Sequence, residues 1–173
     1  MIKAYHDAKF NFNEIFDTRT GMYVRSGILD ENGKDTNVDP FMRSFPGLID
    51  VGVMGSCTHG RTGLCLKAGV QCYQNGLKTC EPNMTLENYQ RIIDEGERNG
   101  LFQVALGGRG DPDMHEQFEE IIKYSAEHHI VPNFTTSGLG MTPEKAALCK
   151  KYCGAVACSQ YSRLRTVKLR RKK

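Results

Sequence analysis

From residue 48 onward the apolar positions change period at regular intervals. Leu48-Ile49-Asp50-Val51-Gly52-Val53-Met54 is a mostly apolar run of strand length that ends at Gly55, which suits a buried parallel strand. Leu86, Tyr89, Ile92 and Ile93 then recur at helical spacing behind Thr85, a residue able to cap a helix, and Asn99-Gly100 is a stop signal. Phe102 to Leu106 reads as a second strand, ending in Gly107-Gly108. Asp113 with Glu116 three residues on is a capping-box pattern, predicting a helix whose Phe118, Ile121, Ile122 and Ser125 share one face and which ends near His128-His129. Ile130 to Thr135 is a third strand, Thr142-Pro143-Glu144 starts a third helix, and Ala155 to Ser159 is a fourth strand. Strand, loop and helix in repetition require parallel pairing with right-handed crossovers, so the predicted fold is α/β. Functional residues then gather in the loops after the strands' C-terminal ends.

The first 45 residues follow a different pattern and read as an N-terminal extension. Met22 to Ile28 resembles a short strand, and Asp30-Glu31-Asn32-Gly33-Lys34 is a turn able to close a hairpin. The Asp30-x-Asn32 spacing does not make a calcium loop: Lys34 occupies a ligand position, and neither the required glycine nor the closing glutamate follows. The chain thus divides into the extension (1–45), a strand-helix core (46–160) and a tail (161–173).

Composition narrows the class. Hydrophobic residues at 39% and charged residues at 25% are ordinary soluble values, no apolar run approaches the length of a membrane span, and Met1 to Phe10 lacks a signal peptide's apolar core. A cytoplasmic protein without a membrane segment is expected. The net charge of +3 hides an asymmetry: removing the seven basic side chains between Arg163 and Lys173 leaves −4 for residues 1–162. The tail is read as solvated, and a nucleic-acid partner is not expected. Arg109-Gly110-Asp111 matches an integrin-binding tripeptide by coincidence, since it follows a buried strand in a chain with no export signal.

Seven cysteines in such a chain point to reduced thiols, some bound to metal, rather than to a disulfide framework. Cys57, Cys65 and Cys72 lie in one glycine-rich stretch directly after the first core strand. Thiolates are the usual ligands of iron-sulfur clusters, glycines let a backbone approach the sulfides, and three ligands leave one iron open. A structural zinc site completed by Cys80 or His59 is the alternative, though only Cys57 and His59 show the close pairing that zinc sites favour. Cys149 and Cys158 read as small core residues of a helix and a strand, and His59, His115, His128 and His129 as surface or capping residues.

The order of motifs carries a resemblance. Three cysteines after the first strand, Gly107-Gly108-Arg109-Gly110-Asp111-Pro112 after the second and Thr136-Ser137-Gly138 after the third are similar to the radical S-adenosylmethionine superfamily. The resemblance spans roughly residues 46–160. It implies an incomplete TIM-type (β/α) partial barrel, a 4Fe-4S cluster on Cys57, Cys65 and Cys72, and S-adenosylmethionine on the open iron. The reductively cleaved cofactor then yields a 5'-deoxyadenosyl radical that abstracts hydrogen from a substrate. Gly107, Gly108, Arg109, Gly110 and Asp111 resemble the family's glycine-glycine-glutamate-proline segment, which receives the methionine amino group. Ser137 and Gly138 resemble its threonine-asparagine-glycine turn, and Tyr73 keeps an aromatic beside the last cysteine, on the side opposite its usual position. The intervals of seven and six residues between the cysteines are longer than the family's common three and two.

An electron donor and a peptide or small-molecule substrate are the implied partners. Only about four of the family's six strand-helix units are present, so a truncated core is expected, with an open sheet edge that a partner chain could complete. The alternative function is a non-catalytic cluster- or zinc-binding interaction module.

Overall fold

A computed structural model describes residues 1–67, 69, 72 and 80–158, without the side chains of Leu64 and Cys65. Residues 2–17 alternate more sharply than their charge suggests. In Ile2–Asp7 (β1) and Phe12–Asp17 (β2) polar residues interleave with apolar ones, and Phe12, Glu14 and Phe16 are buried while Asn13 and Ile15 face solvent. These strands and Tyr23–Arg25 (β3) form an antiparallel sheet in the order β1-β2-β3. The strand expected over Met22 to Ile28 is shorter, because the backbone turns after Arg25 and the Gly27 N–H donates to the Asp35 carboxylate. The Asp30 turn forms as read: its Oδ1 accepts from the Asn32 and Lys34 N–H groups, and Leu29 bridges Asp35.

The N-terminal sheet packs on the strand that follows Phe102. Phe16 stacks on Phe102 with ring centroids 5.3 Å apart. The Arg43 guanidinium lies 3.8 Å from the Tyr5 ring centroid, donates to Gly100 O at 2.8 Å, and pairs at 2.5 Å with Glu14, which is 2% exposed. Removing one partner of such a buried pair costs about 3–5 kcal/mol, because the other charge is then left uncompensated.

Asp7 is buried beside this pair. Burial acts to raise its carboxyl, but hydrogen bonds from the N–H groups of Ser44, Phe10 and Lys9 and from the Ser44 hydroxyl outweigh it and hold the group at about 2. A depressed carboxyl contributes stability that is present above its unfolded value and lost as pH falls through the folded one. Melting temperature measured against pH should therefore drop between about pH 4 and pH 2, and Asp7→Asn should flatten that drop while lowering the plateau at neutral pH.

The second sheet is parallel, with strand order β4-β5-β6-β7. Its elements in chain order are Leu48–Met54 (β4), Thr58–Thr62 (α1), Leu64–Lys67 (α2), Leu86–Arg98 (α3), Gln103–Gly108 (β5), a 3-10 turn at Pro112–Met114, Phe118–Glu127 (α4), Val131–Thr136 (β6), Pro143–Tyr152 (α5) and Ala155–Cys158 (β7). Helices α3, α4 and α5 pack side by side in chain order, as successive right-handed crossovers require. Thr85 and Thr142 cap α3 and α5 through their hydroxyls, and Asn99-Gly100 ends α3 with Gly100 at φ +77°.

Val51, Val53, Val104, Leu106 and Phe134 on the sheet meet Tyr89, Ile93, Phe118, Ile121 and Ile122 on the helices. Between α3 and α4, Ser125 donates to Ile121 O, so the Tyr89 hydroxyl is the donor in its 2.6 Å bond to Ser125. The other face of the sheet carries small and polar residues, among them the cross-strand row Asp50, Ala105, Asn133 and Ala155.

The sheet is open, with β4 and β7 at its edges and no barrel closure among the described residues. β4 is accordingly less buried than its composition suggests: only Val51 and Val53, which face the helices, are buried. Every residue of β7 is exposed, so Cys158 is a surface thiol rather than a core one, whereas Cys149 is buried. Burial pushes the Cys149 and Cys153 thiols up, which keeps them protonated and inert. Among the described residues no helix is long and apolar enough to cross a membrane.

Candidate functional site

Three loops meet at the C-terminal ends of β4, β5 and β6. The first leaves β4 at Gly55 and returns at Glu81, and its neck is tightly closed. Gly55 O accepts from the Glu81 N–H at 3.1 Å, the Gly55 N–H donates to Asn83 Oδ1 at 2.9 Å, and the Met84 N–H donates to Val53 O at 2.9 Å. A Cβ on Gly55 would lie 2.2 Å from Pro82 O and 2.3 Å from Glu81 O, so only glycine permits the closure.

Inside the neck Cys57 caps α1, its Sγ accepting from the Gly60 N–H at 3.3 Å, and Gly63 at φ +68° ends that turn. Cys57 and Cys72 are half-buried and Cys80 is exposed. The Cys65 side chain and Tyr73 lie outside the described residues. Among the described residues no three histidine, cysteine or acidic side chains converge to hold a metal.

The second loop continues β5. Gly107 faces open space, with no atom within 4 Å of the place its Cβ would occupy, whereas Gly108 stands at φ +85° with its Cβ position 3.1 Å from Gly52 Cα. The next three residues each touch the start of the cysteine loop. Arg109 donates to Gly55 O at 3.2 Å, Gly110 at φ +62° leaves room for Ser56 O where a Cβ would sit 2.6 Å from it, and Asp111 Oδ2 is 3.9 Å from His59 Nε2. From the third loop, the Ser137 N–H donates to Asp111 Oδ1 at 3.0 Å and the Ser137 hydroxyl donates to Asp111 Oδ2. Gly138 at φ +83° turns the chain, its N–H donating to Thr136 Oγ1. Arg109, Gly110, Asp111, Ser137 and Gly138 are therefore brought together with Cys57.

The capping box does not form. Asp113 is fully buried in the 3-10 turn, where its Oδ1 accepts from the Thr136 hydroxyl at 2.6 Å, and α4 begins at Phe118. Pro112 favours the early turn, α4 starts without a side-chain cap, and just before it His115 Nδ1 accepts from the Gln117 N–H at 2.9 Å. The opposite nitrogen, Nε2, then donates to Met84 O at 2.9 Å, so the imidazole links the neck of the cysteine loop to the segment before α4. His59 and His115 are thus buried, not the surface or capping residues that their sequence context suggested. No local spacing marks their burial, because Asp111, which His59 faces, and Met84, to which His115 bonds, come from other segments. Gly55 had a signal in its place at a strand's end, and Asn83 had none.

No protein-family model matches the chain. Mycofactocin maturase MftC of Mycolicibacterium smegmatis (strain ATCC 700084 / mc(2)155) is 36% identical over 83 residues, which are 48% of this chain and 21% of that protein. Mycofactocin maturase MftC of Mycobacterium tuberculosis (strain CDC 1551 / Oshkosh) is 35% identical over 82 residues, again 21% of its length. The match thus spans about a fifth of these curated relatives. Among solved structures, Streptococcus suis SuiB bound to precursor peptide SuiA superposes with a TM-score of 0.60 at 14% identity, over 90% of this chain and 46% of SuiB. BtrN in an open conformation superposes with a TM-score of 0.56 at 14% identity, over 70% of this chain and 53% of BtrN. These relatives and fold neighbours are radical S-adenosylmethionine enzymes, and the chain is similar to part of them in sequence and in its open parallel α/β fold.

Proposed function

We propose that Cys57, Cys65 and Cys72 hold a 4Fe-4S cluster and that S-adenosylmethionine binds along the adjoining sheet edge, lined by Tyr73, Gly107, Gly108, Arg109, Gly110, Asp111, Ser137 and Gly138. The single observation that carries this reading is the juxtaposition of the cysteine loop with the ends of β5 and β6, through Arg109, Gly110 and Asp111. The residues fit the group: Cys57 is half-buried with a backbone N–H on its sulfur, and the open space over Gly107 leaves the β5 edge accessible to a ligand. When bound, the cluster and S-adenosylmethionine supply an electron and a carbon radical for hydrogen abstraction from substrate.

This chain's own residues position and shield. The Gly55 neck keeps the ends of the cysteine loop together, and Arg109 steadies the neck by donating to Gly55 O. The β5 backbone at Gly107 and Gly108 offers polar groups at close range. The small and polar row across the open face of the sheet gives a substrate somewhere to lie. A peptide substrate is supported by the precursor peptide bound to SuiB, and the cofactor by the BtrN complex with AdoMet and 2-DOIA. An electron donor, a cytoplasmic location and a second chain or further segment pairing with the exposed edge of β7 belong to the same reading.

Anaerobic reconstitution with iron and sulfide tests it. Uptake of close to four irons per chain, with a spectrum that changes on adding S-adenosylmethionine, is expected. Zinc without iron would instead mark an interaction module. Gly107→Val probes the cofactor edge: iron content and melting temperature should stay at parental values while affinity for S-adenosylmethionine falls about tenfold, since the side chain enters only open space. Equilibrium dialysis of the reconstituted chain measures it, and unchanged affinity would move the cofactor elsewhere. Gly108 is the poorer probe, because a valine at φ +85° also strains β5 against Gly52.

A further inference from the structure

We propose that Asp111 is a positioning residue that couples the cysteine loop to the loop after β6, so that order in one is transmitted to the other. The inference rests on the cluster-and-cofactor reading for its purpose, but its geometry stands apart from it. Residues 109–111 lie along the start of the cysteine loop one after another, on Gly55, Ser56 and His59. Of the three, Asp111 is the one that also grips the loop after β6. Its Oδ1 receives the Ser137 N–H and its Oδ2 the Ser137 hydroxyl, while Oδ2 also faces His59 Nε2 at 3.9 Å.

His59 belongs to α1, the same turn whose first residue is capped by Cys57. It is 9% exposed, and its chain neighbour Gly60 is buried as well. Gly110 adds rigidity, because at φ +62° it brings the loop's backbone against Ser56 and Cys57 with no room for a side chain. A carboxylate fixed by two donors from one loop and set against an imidazole of another is a two-sided clamp. Loosening either side frees the other, since both depend on one orientation of one side chain.

Hydrogen exchange of the full chain without metal tests the coupling. Ser137→Ala removes the hydroxyl from Asp111 and touches nothing in the cysteine loop, yet it should speed amide exchange over residues 57–62 as well as over 137–139, about tenfold, the effect of one lost charge-assisted hydrogen bond. Asp111→Asn, which keeps the shape but not the charge, should do the same, while α3 stays at the parental rate. Leu139→Ala, in the same turn but exposed, should leave residues 57–62 unchanged. Parental exchange over 57–62 in both Ser137→Ala and Asp111→Asn overturns the clamp.

In the reconstituted chain, Asp111→Asn should keep the parental iron content and need about tenfold more S-adenosylmethionine to alter the paramagnetic resonance signal of the reduced cluster. An unchanged requirement also overturns it. A parent chain that takes up no iron refutes the cluster reading alone, and the exchange result still decides the clamp.

Discussion

Gly55→Ala is expected to lose most of its iron on reconstitution and to melt well below the parent chain. The added methyl would sit 2.2 Å from Pro82 O and 2.3 Å from Glu81 O, both backbone atoms of the segment that closes the loop. Neither oxygen can rotate away as a side chain could, so the neck must open by more than an ångström. Opening breaks the Glu81 N–H bond to Gly55 O and the Gly55 N–H bond to Asn83, and it displaces Arg109 from the same carbonyl. Overpacking with lost backbone bonds costs about 3 kcal/mol, which for a domain of this size is roughly 6–12 °C in melting temperature. Gly107→Ala is the control, because its Cβ meets nothing within 4 Å and its melting temperature should match the parent. Calorimetry and metal analysis of the two variants decide the matter, and a Gly55→Ala chain with parental iron would show that the neck does not matter for the loop.

The second large effect separates the cysteines. Cys65→Ser should abolish assembly of the cluster, whereas Cys80→Ser should leave iron and sulfide per chain unchanged. Three thiolates are the minimum that leaves one iron open, so each is irreplaceable, and an alcohol is a poor substitute for a thiolate at iron. Cys80 is exposed and stands beside Glu81 at the closed neck. Absorbance together with iron and sulfide content reads both variants. Normal assembly in Cys65→Ser would remove it from the ligand set, and failure in Cys80→Ser would bring Cys80 in.

The parallel sheet was legible residue by residue from Leu48 onward because its signals are local. Thr85 and Thr142 cap their helices where the hydroxyl pattern says they should, and the shared face of Phe118, Ile121, Ile122 and Ser125 is the buried face of α4. The N-terminal sheet was not legible. Lys3, His6, Asn13 and Glu14 obscure the alternation of β1 and β2, and the burial of Glu14 depends on Arg43, distant in sequence, and on the Tyr23 hydroxyl. The capping box at Asp113 failed for the same kind of reason: a distant hydroxyl, that of Thr136, draws the carboxylate into the interior, and α4 starts at Phe118 without a side-chain cap.

Order along the chain was therefore enough to identify the class of fold and the three loops that meet at the C-terminal ends of β4, β5 and β6. Periodicity and turn chemistry act over a few residues, and a parallel sheet places strand ends together whatever the loops hold. Tertiary structure alone decided that Gly55 is a neck, that Asp111 faces both His59 and Ser137, and that His115 is buried against Met84 O. Each of these depends on atoms more than twenty residues apart, where backbone packing and desolvation choose the partner and no short-range pattern records the choice.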